Sequence, residues 1–351
     1  MNSLRPIRNE MLSRIDQVKH LRLLYPQSWK PVLNPHSQAA NRIATEWFKK
    51  AGIVTDEHTL RMLQEERADL YSGYPYPTAN FEQLVTLAEF LALWIIFDDL
   101  VTETSGNYWR KYNLSVDDYV NALRTGELSP NADPFLRGWW EICRRFSNMS
   151  QRWRDRLADR FGDWIRGALE EKELVRQMNE PDQVVPLQKY LDTRTYSVGA
   201  MPTFYFIEYV EGFELPEEVR QNDVLRALHT LGSQILFLGN DVISLEKDMA
   251  SGWINPVVLE QKNRRLSLIE AVESVVNLHN QTVFDFLALE KRLPSFGPDL
   301  DPFVRLYVNL MHFVIRGLAE WQMGAERYHW KRELAPGRSP VRISMASFAD
   351  E

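Results

Sequence analysis

Apolar residues recur at intervals of three and four along most of this 351-residue chain, and this periodicity restricts the fold more than any other feature. Ala40, Ala44 and Phe48 follow it before Gly52, and few stretches alternate between apolar and polar residues as strands do. The predicted helices cover residues 37–51, 57–70, 79–100, 115–125, 132–147, 150–178, 185–197, 201–212, 223–249, 265–291 and 301–331.

The helices are apolar on too many sides for a long two-sided bundle, so a single barrel of helices around a buried apolar pocket fits better. The predicted fold class is therefore all-α. Eleven Trp and 17 Phe residues supply aromatic surface to bury or to line a cavity. No break in composition marks a second domain. We expect an N-terminal segment over residues 1–36, one domain over 37–331 and a C-terminal tail over 332–351.

Charge and composition exclude several classes of function. The net charge of −7 argues against a nucleic-acid surface and suits a cytoplasmic protein. The single Cys143 excludes an internal disulfide and any cysteine-based metal site. There is no HExxH motif, no signal sequence and no apolar run of roughly 18 residues. We expect a cytoplasmic protein with no nucleic-acid partner and no membrane span, and the sequence leaves open whether it is a homodimer.

The stretch from Leu236 to Asp248 begins apolar and ends with Asn240, Ser244 and Asp248 at steps of four. On one continuous helix these side chains lie along one face, with neighbouring Cβ atoms roughly 5–6 Å apart. An amide, a hydroxyl and a carboxylate are oxygen ligands that suit a hard divalent cation. Lys247 lies beside this row and supplies a positive charge. An ordinary polar surface is the alternative for such a row taken alone.

A second acidic cluster, Asp98, Asp99 and Glu103, follows an apolar run at the expected carboxyl end of a helix. That end carries partial negative charge, so each carboxylate there is unfavourable by about 0.3–1 kcal/mol. A bound divalent cation would offset this cost and the repulsion between adjacent acids. A solvated helix end would tolerate the acids without a cation, and the cluster by itself leaves both readings open.

Arg194 lies 46 residues before Asn240 and shortly before a helix break expected at Gly199. Its guanidinium group could bind a phosphate through two hydrogen bonds. The alternative is a structural arginine paired with a carboxylate such as Asp192 or Glu208.

The last predicted helix ends near Arg327 and Tyr328. These residues can supply a cation and a hydroxyl donor. The alternative is that Arg327 only stabilises the end of the helix, because the helix dipole favours a cation there.

Together these four stretches resemble the microbial class I terpene synthases (terpene cyclases), over roughly residues 30–330. That family has an Asp-rich motif, a triad of the form Asn-Asp-x-x-Ser-x-x-x-Glu, an arginine 46 residues before the triad and a C-terminal Arg-Tyr pair. This chain matches all four in order and departs from the pattern at Asp248, where Glu is usual. Asp is one methylene shorter but keeps the carboxylate. Weaker similarities are Asn34, Pro35, His36, Trp47, Pro77 and Asn255.

The resemblance implies a helical barrel that binds three Mg²⁺ ions and a linear isoprenyl diphosphate. The implied metal ligands are Asp98, Asp99, Glu103, Asn240, Ser244 and Asp248. The implied diphosphate-binding residues are Arg194, Lys247, Arg327 and Tyr328. In related enzymes a helix break after the arginine places a backbone carbonyl near the substrate, which here corresponds to Ser197, Val198 and Gly199. A simple glycine helix stop is the alternative.

Departure of diphosphate would leave an allylic carbocation, which water would quench, so the pocket must be dry and lined by groups that stabilise a cation without attacking it. Aromatic faces do this. The aromatic pocket candidates are Trp94, Phe97, Phe204, Tyr205, Trp321 and Trp330, with Phe81 and Tyr307 weaker. Core packing is the alternative for each of them.

For a single domain of this length we expect sesquiterpene formation from farnesyl diphosphate, with a diterpene from geranylgeranyl diphosphate as the alternative. A prenyl diphosphate synthase would carry a second Asp-rich motif in place of the triad. A class II cyclase would need an Asp-x-Asp-Asp motif, which the sequence lacks. A non-enzymatic helical scaffold would release no diphosphate in the presence of Mg²⁺.

Overall fold

The computed structural model describes residues 20–102, 111–112, 116–180, 183–328 and 343–349. Most of this part of the chain is helical, as the all-α prediction requires. The helices are α1 (Ser37–Lys50), α2 (Glu57–Glu65), α3 (Ala68–Gly73), α4 (Phe81–Thr102), α5 (Val116–Thr125), α6 (Pro134–Cys143), α7 (Gln151–Met178), α8 (Leu187–Ser197), α9 (Ala200–Glu211), α10 (Glu217–Arg220), α11 (Asp223–Ile243), α12 (Leu245–Ser251), α13 (Pro256–Arg264), α14 (Leu268–Glu290) and α15 (Asp301–Gly324). Short 3-10 turns lie at Arg144–Asn148 and Glu326–Tyr328.

Polar side chains set where several helices begin. Asp133 accepts a hydrogen bond from the Leu136 backbone N–H at 2.8 Å, and Pro134 occupies the first position of α6. Ser267 and Glu270 form a reciprocal capping box at the start of α14. Because caps and periodicity are local features, most predicted helices lie close to the observed ones.

Four predicted helices differ from the structure. In the one expected over 132–147, the α-helix ends at Cys143 and a 3-10 turn follows. The helix expected over 223–249 is interrupted at Ser244, which separates α11 from α12. The helix expected over 57–70 breaks before Ala68, because Arg67 adopts a left-handed conformation (φ 51°) and bonds to Asp69 at 2.9 Å through two nitrogens. The last helix ends at Gly324 rather than at residue 331.

Two short strands were not predicted. β1 (Arg22–Pro26) and β2 (Ser344–Phe348) form a parallel pair in which Arg22 lies opposite Ser344. β1 also packs on α14, where the Leu24 backbone N–H donates to Asn280 Oδ1 at 2.8 Å. The strands thus pair a stretch before α1 with a stretch after α15.

A cavity of about 360 Å³ lies among α3, α4, α7, α8, α9, α11, α12 and α15, so the predicted barrel around a pocket is confirmed. None of the helices in the described ranges is both long enough and apolar enough to cross a bilayer.

Asn34 fixes the turn that leads into α4. Its side-chain Nδ2 donates to the backbone carbonyls of Tyr76, Pro77 and Ala79 at 3.1, 3.2 and 2.8 Å. Asn34 is 1% exposed, so this turn is held from inside the protein. The turn sets the start of the helix that carries Asp98 at its other end.

Candidate active site

The cavity brings together side chains that are far apart in the sequence. The candidate metal ligands that line it are Asp98, Asp99, Asn240, Ser244 and Asp248. The candidate diphosphate-binding residues that line it are Arg194, Lys247, Arg327 and Tyr328. The remaining candidate, Glu103, lies outside the described residues.

Asp98 and Asp99 lie near the carboxyl end of α4, as the sequence analysis predicted. Burial, and then the neighbouring Asp99 carboxylate, raise the pKa of Asp98 to about 7. Asp99 Oδ1 accepts a hydrogen bond from Arg327 Nη2 at 3.2 Å. Asp99 is buried and Asp98 half-buried, and two such adjacent carboxylates are costly to ionise together unless a cation lies nearby. Arg327 is one such cation. Because it is a single positive charge beside two carboxylates, a second cation bound next to them would also be favourable.

Asn240, Ser244 and Asp248 face the same cavity although the helix is interrupted between them. The Ser244 N–H donates to the Asn240 carbonyl at 2.7 Å and the Asp248 N–H to the Ser244 carbonyl at 2.9 Å, which preserves the spacing of one turn. Asp248 Oδ2 accepts from Ser244 Oγ at 2.7 Å and from Asn255 Nδ2 at 2.9 Å. Burial raises the pKa of Asp248, and the Ser244 hydrogen bond opposes this. The carboxylate is therefore oriented by two donors.

Arg194 contacts both this row and two buried carboxylates. Its Nη2 donates to Asn240 Oδ1 at 3.0 Å and to Asp241 Oδ1 at 3.2 Å, and its Nη1 donates to Glu171 Oε2 at 3.2 Å. Burial raises the pKa of Asp241 to about 7, and Arg194 opposes this rise. The guanidinium group thus lies beside the triad with its charge balanced by the protein itself.

The carboxylate partners of Arg194 differ from those considered in the sequence analysis. Asp192 accepts from Gln188 Nε2 at 2.9 Å, and buried Glu208 pairs with Arg220. Neither is a partner of Arg194. The sequence could not show this, because spacing along the chain does not give the directions of side chains on different helices.

Glu171 is a cavity residue that the sequence analysis did not identify. It is 3% exposed and accepts hydrogen bonds from Ser197 Oγ, from Trp253 Nε1 at 2.8 Å and from Arg194. It therefore ties Arg194 to the end of α8. Because α7 is rich in acidic residues, nothing in the sequence pattern distinguishes this glutamate from its exposed neighbours.

A wall of the cavity forms where the α2–α3 corner meets the end of α15. Arg327 Nη1 donates to Glu66 Oε2 at 2.6 Å, and Trp321 Nε1 donates to the Glu66 backbone carbonyl at 2.7 Å. The Tyr71 ring stacks on Trp321 with centroids 3.8 Å apart, and Tyr328 packs edge-on against Trp321 at 5.1 Å. Burial raises the pKa of Glu66 to about 7, which Arg327 opposes. The sequence analysis identified neither Glu66 nor Tyr71.

The expected helix break is present at Ser197–Gly199, and all three residues line the cavity. Gly199 has φ +77°, a left-handed conformation that favours glycine, and α9 begins directly after it. Gly167 of α7 approaches the break closely, since a Cβ atom at this position would lie 2.9 Å from the Ser197 nitrogen. The break is therefore packed directly against α7.

The aromatic candidates separate into two groups. Trp94 and Trp321 line the cavity, whereas Phe97 and Phe204 are fully buried in the core and do not. Phe97 lies on the flank of α4, where its ring meets Tyr119 at 4.5 Å. Tyr205, Phe81 and Tyr307 also lie outside the lining, and Trp330 lies outside the described residues. Trp164, Trp253 and Tyr71 line the cavity without having been predicted.

The donor atoms facing the cavity fit a hard divalent cation that is shared with a substrate. No group of three or more His, Cys, Asp or Glu side chains among the described residues is placed to hold a metal ion by itself. Two carboxylates on α4 and an amide, a hydroxyl and a carboxylate at α11–α12 face the cavity instead. Mg²⁺ in proteins is usually bound by one or two carboxylates together with substrate phosphates.

Comparison with known proteins agrees with this geometry. Residues 89–285 match the family described as terpene synthase family 2, C-terminal metal binding. Pristinol synthase of Streptomyces pristinaespiralis is 28% identical over 308 residues, covering 84% of this chain and 82% of that protein. 10-epi-Cubebol synthase of Sorangium cellulosum is 28% identical, covering 85% and 96%. Sesquiterpene synthase 6 of Postia placenta is 27% identical, covering 85% and 87%.

Solved structures show the same fold. Linalool/nerolidol synthase from Streptomyces clavuligerus superposes with a TM-score of 0.73 at 22% identity, covering 84% of this chain and 98% of that chain. α-Eudesmol synthase superposes with a TM-score of 0.72 at 20% identity, covering 84% and 97%.

Proposed function

Because the chain belongs to terpene synthase family 2, we propose that it converts farnesyl diphosphate to a sesquiterpene in a Mg²⁺-dependent reaction that releases diphosphate. The observation that carries this proposal is the convergence of Asp98, Asn240, Arg194 and Arg327 on one cavity. Membership of the family establishes a terpene synthase that acts on an isoprenyl diphosphate with a divalent metal.

Two observations support a C15 substrate. The relatives include a protein named as a sesquiterpene synthase and two synthases named for pristinol and 10-epi-cubebol. The cavity of about 360 Å³ lies near the lower end of the usual range of small-molecule sites, roughly 300–1,000 Å³. A shorter isoprenyl chain suits this volume better than the C20 chain of geranylgeranyl diphosphate.

We assign the carboxylates of Asp98 and Asp99 to one side of a three-ion Mg²⁺ cluster, and Asn240, Ser244 and Asp248 to the other side. Bound Mg²⁺ would neutralise the negative charge that develops on the departing diphosphate. Ser244 and Asn255 orient the Asp248 carboxylate for this task.

The cationic side chains bind and orient the diphosphate. Arg194 and Arg327 exchange some of their carboxylate contacts for phosphate oxygens, while Lys247 and the Tyr328 hydroxyl add further donors. The partner carboxylates keep both arginines inside the cavity before the substrate arrives.

The rest of the cavity protects the carbocation. Trp94, Trp164 and Trp321 line the cavity, and the face of an aromatic ring stabilises positive charge without forming bonds. The stacking of Tyr71 on Trp321 fixes the position of that ring.

The test is incubation of the protein with farnesyl or geranylgeranyl diphosphate and Mg²⁺. Released diphosphate is measured together with the products, by gas chromatography–mass spectrometry. We expect cyclic C15 products. If only C20 products formed, the substrate would be geranylgeranyl diphosphate and not farnesyl diphosphate. Release of diphosphate from neither substrate would overturn the proposal.

Two variants test the metal assignment. Asp98→Ala and Asn240→Ala each remove an oxygen donor from one side of the cavity, so turnover should be nearly abolished while circular dichroism remains that of the folded protein. Asp159→Ala, an exposed acid on α7, is the control and should keep full turnover. Wild-type rates in either cavity variant at saturating Mg²⁺ would contradict the assignment.

A further inference from the structure

Gln322 places an unpaired amide in the wall of the cavity. It lies on α15 beside Trp321, lines the cavity and is 4% exposed. Its side-chain oxygen is buried and has no hydrogen-bond partner among the residues that the structure describes. Native proteins satisfy nearly all buried polar groups, and because Gln322 lines the cavity, rotation of its amide would let a molecule bound there satisfy this oxygen.

The other serine, threonine and amide side chains of the lining are already bonded within the protein. They are Ser197 to Glu171, Thr203 to the Ala200 carbonyl, Asn240 to Arg194, Ser244 to Asp248 and Ser251 to the Asp248 carbonyl. Gln322 therefore differs from them in having an oxygen left over for a ligand. It also lies outside the two oxygen-donor groups assigned to the metal ions.

The surroundings of Gln322 suit a single water molecule better than a charged group. Leu318 lies one turn before it and Trp321 directly before it, and both line the same cavity. The phenol groups of Tyr71 and Tyr328, whose rings pack on Trp321, line the same cavity and offer further hydrogen-bonding partners. A water molecule needs two to four polar partners and a space of at least its own size, and the cavity of about 360 Å³ has room for one.

We propose that Gln322 holds a water molecule which captures the final carbocation, so that the main product is a terpene alcohol rather than a hydrocarbon. This inference rests on the proposed function and specifies its last step. An oxygen lone pair of the water forms the new C–O bond, and the resulting oxonium group loses its proton to an oxygen of the released diphosphate. One water is consumed for each diphosphate released.

The amide is suited to this step. Its terminal torsion is broad and roughly two-fold, so rotation presents either the oxygen or the NH₂ group to the cavity. When the amide oxygen accepts a proton from the water, both lone pairs of the water remain available to the carbocation. A water fixed to the wall also reacts only with the carbon that the folded substrate brings to it.

The experiment is product analysis in H₂¹⁸O. For the wild type we expect an alcohol as main product, with one ¹⁸O atom. In Gln322→Leu the ratio of alcohol to total diphosphate released should fall by roughly two- to ten-fold, as loss of one hydrogen bond predicts, and hydrocarbons should replace the alcohol. Gln322→Met, which keeps the length of the side chain, provides the same measurement if the leucine variant does not fold.

Gln261→Leu is the matched control. The side-chain oxygen of Gln261 on α13 is also buried without a partner among the described residues, but Gln261 does not line the cavity. The same chemical change there should leave the alcohol ratio unchanged. An equal fall in both variants would show a general effect of instability and would contradict a specific role of Gln322.

Two results overturn the inference while the proposed function stands: release of diphosphate by the wild type with hydrocarbons as the main products, or an unchanged alcohol ratio in Gln322→Leu. If the wild type releases no diphosphate, the proposed function itself fails, and the inference fails with it.

Discussion

Each arginine assigned to diphosphate binding is balanced by carboxylates of the same chain. Arg194 lies between Glu171 and Asp241, and Arg327 contacts Glu66. Such buried pairs hold the cations in place and reduce the cost of burying their charge. Substrate affinity therefore depends on an exchange of partners, not on the attraction between free charges.

Arg194→Lys tests this exchange. Lysine keeps the charge but loses the planar fork, so turnover should fall by roughly ten- to hundred-fold, the equivalent of one or two charge-assisted hydrogen bonds. Inorganic diphosphate with Mg²⁺ should raise the melting temperature of the wild type by mass action and that of the variant by less. A full wild-type shift together with full turnover would show that Arg194 does not contact the diphosphate.

Arg145→Lys is the matched control for this variant. Arg145 pairs at 2.6 Å with buried Glu89, and neither residue lines the cavity. We expect a lower melting temperature without ligand but an unchanged shift on addition of diphosphate.

At the scale of elements, the position of the helix break depends on how closely α7 and α8 approach. The missing side chain of Gly167 allows the Ser197 backbone to lie against α7, and Glu171, one turn later, accepts the hydrogen bond from Ser197. Two residues of one helix thus set the place of the break that lines the cavity.

Gly167→Ala should disturb this contact. The added Cβ atom would lie 2.9 Å from the Ser197 nitrogen and 3.0 Å from the Tyr196 Cβ, so the backbone must move. We expect a loss of about 1–3 kcal/mol in the free energy of unfolding, as for other overpacked sites, and reduced turnover. Urea denaturation and the diphosphate release assay measure the two effects.

Gly162→Ala provides the comparison on the same helix. The nearest atom to its added Cβ would be Arg166 Nη1 at 3.5 Å, an ordinary contact. Because alanine favours helix more than glycine, stability should be unchanged or higher by up to about 1 kcal/mol. Equal losses in both variants would mean that the α7–α8 contact is not the cause.

At the scale of the whole molecule, β1 pairs with β2 and packs on α14, so it connects two stretches that are far apart in the sequence. The Tyr25 hydroxyl of β1 lies 3.2 Å from Nε2 of His279, which is fully buried. Burial lowers the pKa of His279 from 6.5 to about 4, so this imidazole is neutral in the folded protein at pH 5, where an unfolded chain would protonate it. Burial of this neutral imidazole therefore makes the folded state less stable as the solution becomes acidic.

The sign of the pH dependence follows from proton uptake. Below pH 6.5 the unfolded chain binds a proton at this histidine and the folded protein does not, so stability falls as the pH falls toward 4. Relative to His279→Gln, the wild type should lose about 2 kcal/mol of unfolding free energy between pH 7 and pH 5. Urea denaturation of both proteins at these two pH values gives the difference. A constant difference would show that His279 titrates equally in both states.

The sequence by itself determined the helical elements and most of the candidate metal and diphosphate residues. Apolar periodicity and capping are local, so α7 and α14 lie close to their predicted ranges. Asn240, Ser244 and Asp248 could be found because their spacing of one turn survives even the interruption at Ser244. The presence of a pocket followed from helices that are apolar on several sides.

Only the tertiary structure decided which residues complete the cavity and which hold its arginines in place. Glu171, Glu66 and Gln322 carry no distinguishing pattern, and their significance comes from burial and from partners on other helices. Phe97 and Phe204 are aromatic, as pocket residues are expected to be, but the orientation of their helices places both side chains in the core. The pairing of β1 with β2 joins opposite ends of the chain. Such contacts depend on how whole helices and strands pack, which periodicity along a single segment does not encode.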